Sequence, residues 1–352
     1  MSKGISEQLI VENNTQHKTE GIHNQAPANT HNGTTSEHGS TGTDMPASQV
    51  FPTLLSSLGE HRELTFFHYH ICDLPVIVYD NDDGLLTYAS VESMQQDGIL
   101  TLDHHTHQIV KTSDHQPPTF DASVTSLVVF QWIAMLIVVF LFLKSAKRYK
   151  KEPKKAPKGL QNLIEIGVVF VRDDIVAPNI NNKEVVNKLL PFFVVLFFFI
   201  LFMNLLGLIP GGHTATGSLA TTAALSICAF FVINVTQIKD VGIKEYLKHL
   251  LGGAPIALAP IMIPIEILSM FTKPFALTVR LFANMTAGHV VLLSLVGLIF
   301  YFKSLVVAPV SVGFSIFMYF IEILVAFLQA YIFVILTAVF TGLGMAHDHG
   351  EH

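Results

Sequence analysis

The sequence predicts an all-α polytopic membrane protein: about five membrane-embedded helices, amphipathic surface helices, and a small β-rich extramembrane element near the N-terminus. Half of the 352 residues are hydrophobic and only 14% are charged. The apolar residues fall in continuous blocks between Ser123 and Met345 that are long enough to cross a bilayer. A membrane barrel would show short strands of alternating hydrophobicity instead, so helices are favoured.

Charge is divided unevenly along the chain. Residues 1–121 contain 16 acidic residues and 4 Lys or Arg, whereas Lys144–Lys158 contains 8 basic residues and one acid, Glu152. Basic segments beside a membrane span remain in the cytoplasm. We therefore expect the acidic N-terminal region outside, the basic segment inside and, after five spans, a cytoplasmic C-terminus.

Three regions are predicted. Residues 1–48, rich in Thr, Asn, Gly, Ser and His, predict a disordered polar tail. Residues 49–121 predict an extramembrane region, because short β-branched and aromatic runs in it are separated by the turn sequence DNDDG. Residues 122–352 predict the membrane domain.

Two groups of histidines fall in polar stretches. Metal ligation is one interpretation, and solvated loops are the favoured one. No zinc-site spacing, phosphate loop or nucleophile elbow is present, so neither a metal, a cofactor nor a catalytic residue is predicted. The histidines are His104, His105, His107, His347, His349 and His352.

The first part of the membrane domain alternates spans with surface helices. The spans are predicted at about Ser123–Leu143, Leu189–Leu208 and Ser218–Val235. Amphipathic helices on the cytoplasmic face are predicted at Gly159–Ile180 and Ile238–Gly253, which are too charged to span.

The last hundred residues predict two long helices. Apolar stretches of 48 and 41 residues, Ala254–Tyr301 and Leu305–Met345, contain no polar turn in their middles. A perpendicular span needs about 20 residues, so we predict a steeply tilted hairpin joined near residues 301–304. Asn204, before the hairpin, is expected either to contact water or to hydrogen-bond another helix.

Polar side chains in this hairpin carry its chemistry. An arginine at membrane depth costs roughly 2.5–3.5 kcal/mol on insertion scales, so its charge needs compensation. Arg280 and Asn284 share a helix face, as do Glu322 and Gln329. His289 lies about 13 Å further along the helix from Arg280 and about 180° round it. The embedded polar residues are Glu266, Lys273, Arg280, Asn284, His289, Glu322 and Gln329.

Two interpretations of these groups remain open. An Arg280–Glu322 salt bridge would lock the hairpin as a scaffold. Alternatively, a fixed cation, a histidine that titrates near neutrality and a membrane carboxylate are the parts of a proton relay. The pattern as a whole favours the relay. Because no nucleotide site is present, such a relay implies energy coupling through a partner. Lys273 is expected to reach an interface by snorkelling.

Three motifs resemble subunit a of F-type ATP synthases. They are TKPFALTVRLFANMTAGH at residues 272–289, LQAYIFVILTAVF at Leu328–Phe340, and NLLGLIPG at Asn204–Gly211. The resemblance covers roughly Ser123–Met345. The extended acidic N-terminus and the sequence PKGLQNLIE are similar to the long form of the subunit in some bacterial groups.

The resemblance implies a proton-translocating stator subunit that is not catalytic alone. Such a subunit provides two aqueous half-channels to a rotating c-ring and couples proton flow to rotation and ATP synthesis. Arg280 matches the essential arginine that faces the ring carboxylates. Asn284 and Gln329 match neighbouring amides, expected to hydrogen-bond Arg280. His289 and Glu322 form a proton-path couple, exchanged relative to relatives that carry Glu first and His second.

The resemblance also implies partners and a location. The partners are the c-ring, subunit b of the peripheral stalk, the remaining F-type ATP synthase subunits and membrane lipid, with no nucleic acid. The location is a bacterial plasma (inner) membrane, with a periplasmic N-terminal region and a cytoplasmic C-terminus. The alternative is a self-contained ion-coupled secondary transporter with Arg280 as an anion site. No inverted repeat of the kind found in many transporters relates the first three spans to the hairpin.

Overall fold

The structure, a computed structural model, confirms the predicted helical membrane fold with a small β-rich element before it. The predicted tail at residues 1–48 and all six histidines of the two polar groups lie outside the residues it describes. The described residues are 62–66, 69–81, 84–103, 108–113, 116–151, 156–209, 215–243, 246, 259–302 and 306–345.

The β-rich element contains three small antiparallel sheets in its described part. Strands β1 and β2 form a hairpin, β5 and β6 form a second pair, and β4, β3 and β7 form a three-stranded sheet with β3 in the centre. The strands are β1 (Glu63–Phe66), β2 (Tyr69–Asp73), β3 (Val76–Asp80), β4 (Gly84–Tyr88), β5 (Leu100–Leu102), β6 (Ile109–Lys111) and β7 (Phe120–Asp121).

A short helix, α1 (Val91–Asp97), lies between β4 and β5 and was not predicted. Ser90 caps its N-terminus by accepting a hydrogen bond from the Ser93 amide, and Gly98 ends it at φ 75°. Met94 of this helix packs against the side chains that β3, β5 and β6 turn inward, which gives the element its own core. The fully buried members of that core are Val76, Val78, Met94, Leu100 and Ile109.

The first membrane helix, α2 (Ser126–Lys151), runs on into the basic segment beyond its predicted end. The amphipathic helix predicted next is α3 (Leu160–Phe170), which continues through a π-helical turn (Val171–Val176) into a short α4 (Ala177–Asn179). In the π turn the apolar side chains are buried against α5, whereas Arg172 pairs with Asp173 on the surface at 2.7 Å. The apolar side chains of the π turn therefore pack on protein, whereas Leu160 and Leu163 of α3 are exposed.

The second and third membrane helices are α5 (Lys183–Gly207) and α6 (Leu219–Val241), with a 3-10 turn (Ala215–Gly217) before α6. Asn182 caps α5 by accepting a hydrogen bond from the Glu184 amide at 3.0 Å. Helix α6 extends past the predicted end of the third span. Its last residues are the first residues of the predicted second surface helix. Most of that surface helix lies outside the described residues.

The last two helices form the predicted hairpin. They are α7 (Ala259–Phe302), with 44 residues, and α8 (Val307–Leu343), with 37. At 1.5 Å per residue they are about 66 and 56 Å long, roughly twice the 30 Å of a bilayer's hydrocarbon. Because both are apolar along their length, they require a steep tilt to remain within the membrane.

Helix α5 forms the centre of the bundle, packing on α2 and on α8. Phe193, Phe197 and Ile200 of α5 are fully buried with Phe333 and Val334 of α8. In the described part of the chain, five helices are long and apolar enough to cross a membrane. Burial of large aromatic and aliphatic side chains at their contacts fixes the position of α8 and hence of the hairpin.

Candidate functional site

Arg280 lies on the face of α7 that turns away from the bundle. Leu277 and Leu281, on either side of it, are 3% and 1% exposed, whereas Arg280 and Asn284 are both exposed. Among the residues that the structure describes, no carboxylate lies within ion-pair distance of the Arg280 guanidinium. Any counter-ion of this arginine therefore lies outside that part of the chain.

The two amides near Arg280 bond to each other, which corrects the expectation that they hydrogen-bond the arginine. The Asn284 side-chain amide donates to Gln329 Oε1 at 2.8 Å, and Gln329 is 4% exposed. Their bond joins α7 to α8 one turn from Arg280. Within the described residues the Arg280 guanidinium has no hydrogen-bond partner, and the observed contact of these two amides is the bond between them.

His289 and Glu322 meet nearer to the ends of α7 and α8 that are joined in the hairpin. Glu322 therefore pairs with the histidine and not with Arg280. His289 Nδ1 lies 3.3 Å from Glu322 Oε1, and the glutamate side chain is 5% exposed. Neither Glu322 oxygen has a hydrogen-bond partner among the described residues. Because a buried lone carboxylate is costly, the charge of Glu322 depends on this histidine.

Both ring nitrogens of His289 also face backbone carbonyls. Nδ1 lies 3.0 Å from the oxygen of Met285, and Nε2 lies 3.1 Å from that of Gly207. A carbonyl oxygen only accepts hydrogen bonds, so each nitrogen must carry a hydrogen to satisfy both contacts. The geometry therefore suits the doubly protonated imidazolium, with Glu322 as its counter-ion.

The end of α5 holds this pair in place through contacts with α8. The Asn204 side chain donates to the carbonyl of Ala326 at 3.1 Å, and the Tyr319 hydroxyl donates to that of Leu208 at 2.9 Å. Of the two expectations for Asn204, the helix–helix hydrogen bond is the one observed. On α7, Gly288 faces the Glu322 carboxyl so closely that a Cβ there would overlap Oε1.

A second polar site lies toward the N-terminal part of α7. A cavity of about 60 Å³ opens between α6, α7 and the end of α8. The Tyr246 hydroxyl donates to Asn234 Oδ1 at 2.6 Å beside it, and Lys273 Nζ lies 5.2 Å from the ring centre of Phe340. The polar side chains that line it are Ser226, Asn234, Gln237, Tyr246, Glu266 and Lys273.

Arg280 lies between these two polar sites along α7. Lys273 precedes it by seven residues, about 10 Å, and His289 follows it by nine, about 13 Å. The sequence predicted the separation of Arg280 from His289, and the structure confirms it. All embedded polar residues that the sequence singled out lie either at or beside Arg280 or at one of these two polar sites.

The fold and these groups define a class: a multi-pass helical membrane protein whose two longest helices carry ionisable side chains within their apolar stretches. The family described as ATP synthase A chain matches residues 128–342. Over 234 residues, or 66% of this chain, the sequence is 50% identical to ATP synthase subunit a of Chloroherpeton thalassium, of which 70% is covered. The chain therefore belongs to the ATP synthase A chain family.

Other relatives agree with this assignment. Identity is 51% over 234 residues to ATP synthase subunit a of Chlorobium phaeobacteroides strain BS1, which covers 66% of this chain and 69% of the relative. It is 46% over 235 residues to that of Myxococcus xanthus, covering 66% and 77%. Similarity thus extends beyond one genus.

Sequence reasoning missed part of both sites. Asn234, Gln237 and Tyr246 line the cavity from α6 and the segment after it, and nothing in their local spacing distinguishes them from packing residues. Gly207 and Met285 contribute backbone carbonyls, which no side-chain pattern can reveal. The small residue Gly288, next to a predicted site histidine, was the one available signal of a close approach.

Proposed function

We propose that this chain is the proton-translocating stator subunit of the membrane sector of an F-type ATP synthase, working against a rotating c-ring. The observation that carries the proposal is the position of Arg280: exposed on the hairpin's outer face, without a described counter-ion, and between two polar sites. Family membership supports the same conclusion.

The two polar sites belong to opposite sides of the membrane in this proposal. The basic segment Lys144–Lys158 remains inside, so α5 begins inside and ends outside at Gly207. His289, bonded to Gly207, then serves an outer half-channel. Helix α6 returns inward, and the cavity beside Gln237 then serves an inner half-channel.

The chemistry of Arg280 suits a passing carboxylate. A ring carboxyl must be neutral in contact with lipid and charged when it releases its proton. A guanidinium stays protonated under all physiological conditions and favours the charged carboxylate as each site passes. Its positive charge also opposes direct proton transfer between the two half-channels. The steep hairpin offers a long face for several ring helices.

In the outer half-channel we assign proton exchange to Glu322 and a fixed charge to His289. Two backbone carbonyls and the carboxylate hold both imidazole hydrogens, whereas the Glu322 oxygens have no other described partner. The carboxylate is therefore the group freer to gain and lose a proton. Exchange of His and Glu relative to other members would preserve one cation and one carboxyl in the pair.

The remaining assignments are also part of the proposal. Subunit b of the peripheral stalk would anchor the chain, the protein would lie in a bacterial plasma membrane, and residues 49–121 would be periplasmic. The ATP-forming reaction would take place on other subunits, with no residue of this chain catalytic by itself.

Replacement of Arg280 by Ala tests the function. In inverted membrane vesicles, ATP-driven proton uptake is expected to fall to background in Arg280→Ala, with the complex still assembled. Arg172→Ala is the matched control, because Arg172 is a surface arginine paired with its neighbour Asp173. Normal proton uptake in Arg280→Ala would reject the proposal. Ion transport by the purified chain alone would support the secondary transporter instead.

A further inference from the structure

The outer face of the three-stranded sheet β4–β3–β7 carries a row of apolar side chains, with the exposed Thr87 at its edge, where a solvated face would be mostly polar. Its inner face buries Val76 and Val78 in the core of the element. Alternation along antiparallel strands should then turn polar side chains outward. Instead Leu85, Tyr79 and Phe120 lie side by side across the three strands, in register as direct partners.

These three side chains are among the exposed large apolar groups of the extramembrane element. Leu85 is 66% exposed, Tyr79 46% and Phe120 63%. Ile77, two residues before Tyr79, extends the same face as a half-buried side chain. A contiguous exposed apolar patch on a folded element marks a surface that contacts a membrane or another molecule.

The sheet is tied directly to the first membrane helix. Only four residues separate β7 from α2, so Phe120 is within about 20 Å of Ser126 even along a fully extended chain. The connection continues the strand pairing, because the amide of Ala122 donates to the carbonyl of Ile77 at 2.9 Å and that of Val124 donates to Pro75 at 3.2 Å. The Ile77 amide also donates to Ser123 Oγ at 3.1 Å.

Two acidic residues near this face, Asp80 and Asp121, are each paired with a basic residue in the described part of the chain. Asp121, next to Phe120, accepts a hydrogen bond from Arg62 at 2.7 Å, and Lys111 pairs with the buried Asp80 at 2.7 Å. Burial raises the pKa of the Asp121 carboxyl, but hydrogen bonds from Ser123 and Arg62 outweigh it and leave the pKa below its ordinary value. Neither ion pair places an uncompensated charge beside the apolar row.

We propose that this face, formed by Ile77, Tyr79, Leu85 and Phe120, lies on the lipid headgroup region beside the outer end of α2. A membrane-anchored sheet with an aromatic and aliphatic face meets the conditions of the bilayer interface, where amphipathic rings such as tyrosine are enriched. The extramembrane element thereby holds α2 at a fixed depth and angle. This inference does not depend on proton translocation.

Spin labels on single cysteines test the contact in the whole ATP synthase complex. The complex is prepared without its other cysteines, including Cys72 and Cys228, and reconstituted in phosphatidylethanolamine and phosphatidylglycerol vesicles. Labels are placed by Leu85→Cys and Phe120→Cys, because both side chains are exposed and neither belongs to the core of the element. Gln96→Cys is the matched control, because Gln96 is exposed on α1 and belongs to the other layer of the element.

Collision with oxygen, which concentrates in lipid, is compared with collision with a water-soluble nickel chelate. The proposal predicts an oxygen-to-nickel ratio several-fold higher at Leu85 and Phe120 than at Gln96. Equal ratios at all three positions would mean that the face is in water and would overturn the proposal. Protection of both labels from both reagents would mean that a protein surface covers the face, which would also overturn it.

Discussion

At the scale of single residues, the pairing of His289 with Glu322 assigns different tasks to two groups that sequence alone treats alike. The histidine is held by the carbonyls of Met285 and Gly207, so both of its hydrogens are already committed. Glu322 has His289 as its described ion-pair partner and is otherwise unsatisfied among the described residues. Proton exchange at the Glu322 carboxylate would therefore disturb fewer contacts than proton exchange at the His289 ring.

This assignment predicts that two substitutions differ in effect. Glu322→Gln keeps the shape but cannot exchange a proton, so ATP-driven proton uptake should fall about a hundredfold or more. His289→Lys keeps a cation whose ordinary pKa is about 10.4, so part of the uptake should remain. Uptake is measured in inverted vesicles of matched complex content, and Glu184→Gln, an exposed acid at the start of α5, is the control.

Two results would contradict the assignment. Normal uptake in Glu322→Gln would remove Glu322 from the proton path. Loss of uptake in His289→Lys as complete as in Glu322→Gln, in a fully assembled complex, would make the histidine the exchanging group.

At the scale of elements, the hairpin depends on one position where α7 and α8 approach closely. Gly288 leaves the space that the Glu322 carboxyl occupies, and a side chain of any size would displace that carboxyl from His289. The requirement is for volume and not for backbone freedom, because Gly288 lies within a regular helix. The segment of α7 that carries Arg280 thus also contains Gly288, which leaves room for the His289–Glu322 pair.

Gly288→Ala should therefore lower proton uptake about tenfold to a hundredfold, since a misplacement of about 1 Å can cost that much. Gly313→Ala, in the exposed part of α8 with nothing within 4 Å of an added Cβ, should leave uptake unchanged. A Gly288→Ala complex with unaltered uptake would show that the His289–Glu322 contact is dispensable.

The sequence predicted these elements well where apolar length decides them. The hairpin followed from two long stretches without polar turns. Helical spacing predicted which polar residues share a face of α7 or of α8, and the family resemblance placed Gln329 of α8 near Arg280 of α7. Hydrogen bonds across the bundle could not be predicted, because they depend on the depth at which α7 packs on α8 and α5. For that reason Asn284 was expected to bond Arg280, and it bonds Gln329.

At the scale of the whole molecule, the chain divides its polar groups between two ends of one bundle. The His289–Glu322 pair lies against the end of α5, and the cavity lies beside the end of α6. Of these two sites, the His289–Glu322 pair was assigned a role before the structure, through the family resemblance. The cavity forms from residues of α6, α7 and α8 that no single stretch brings together. Arg280 lies between them, on the surface that faces out of the chain.

In the proposed function, protons enter and leave by separate half-channels that do not connect within this chain. Accessibility of cysteines to silver ions from each side of the membrane tests it directly. In a complex without other cysteines, Glu322→Cys should react with silver added outside, and Gln237→Cys with silver added inside. Protection from later labelling with a fluorescent maleimide reports the reaction without any need for activity.

Each cysteine is expected to be blocked by silver added to its own side and to remain free when silver is added only to the opposite side. Phe333→Cys, in the buried apolar core between α5 and α8, is the control and should stay unreactive from both sides. Reaction of either Glu322→Cys or Gln237→Cys from both sides would reveal a continuous pathway through the chain and would contradict the proposal of two separate half-channels.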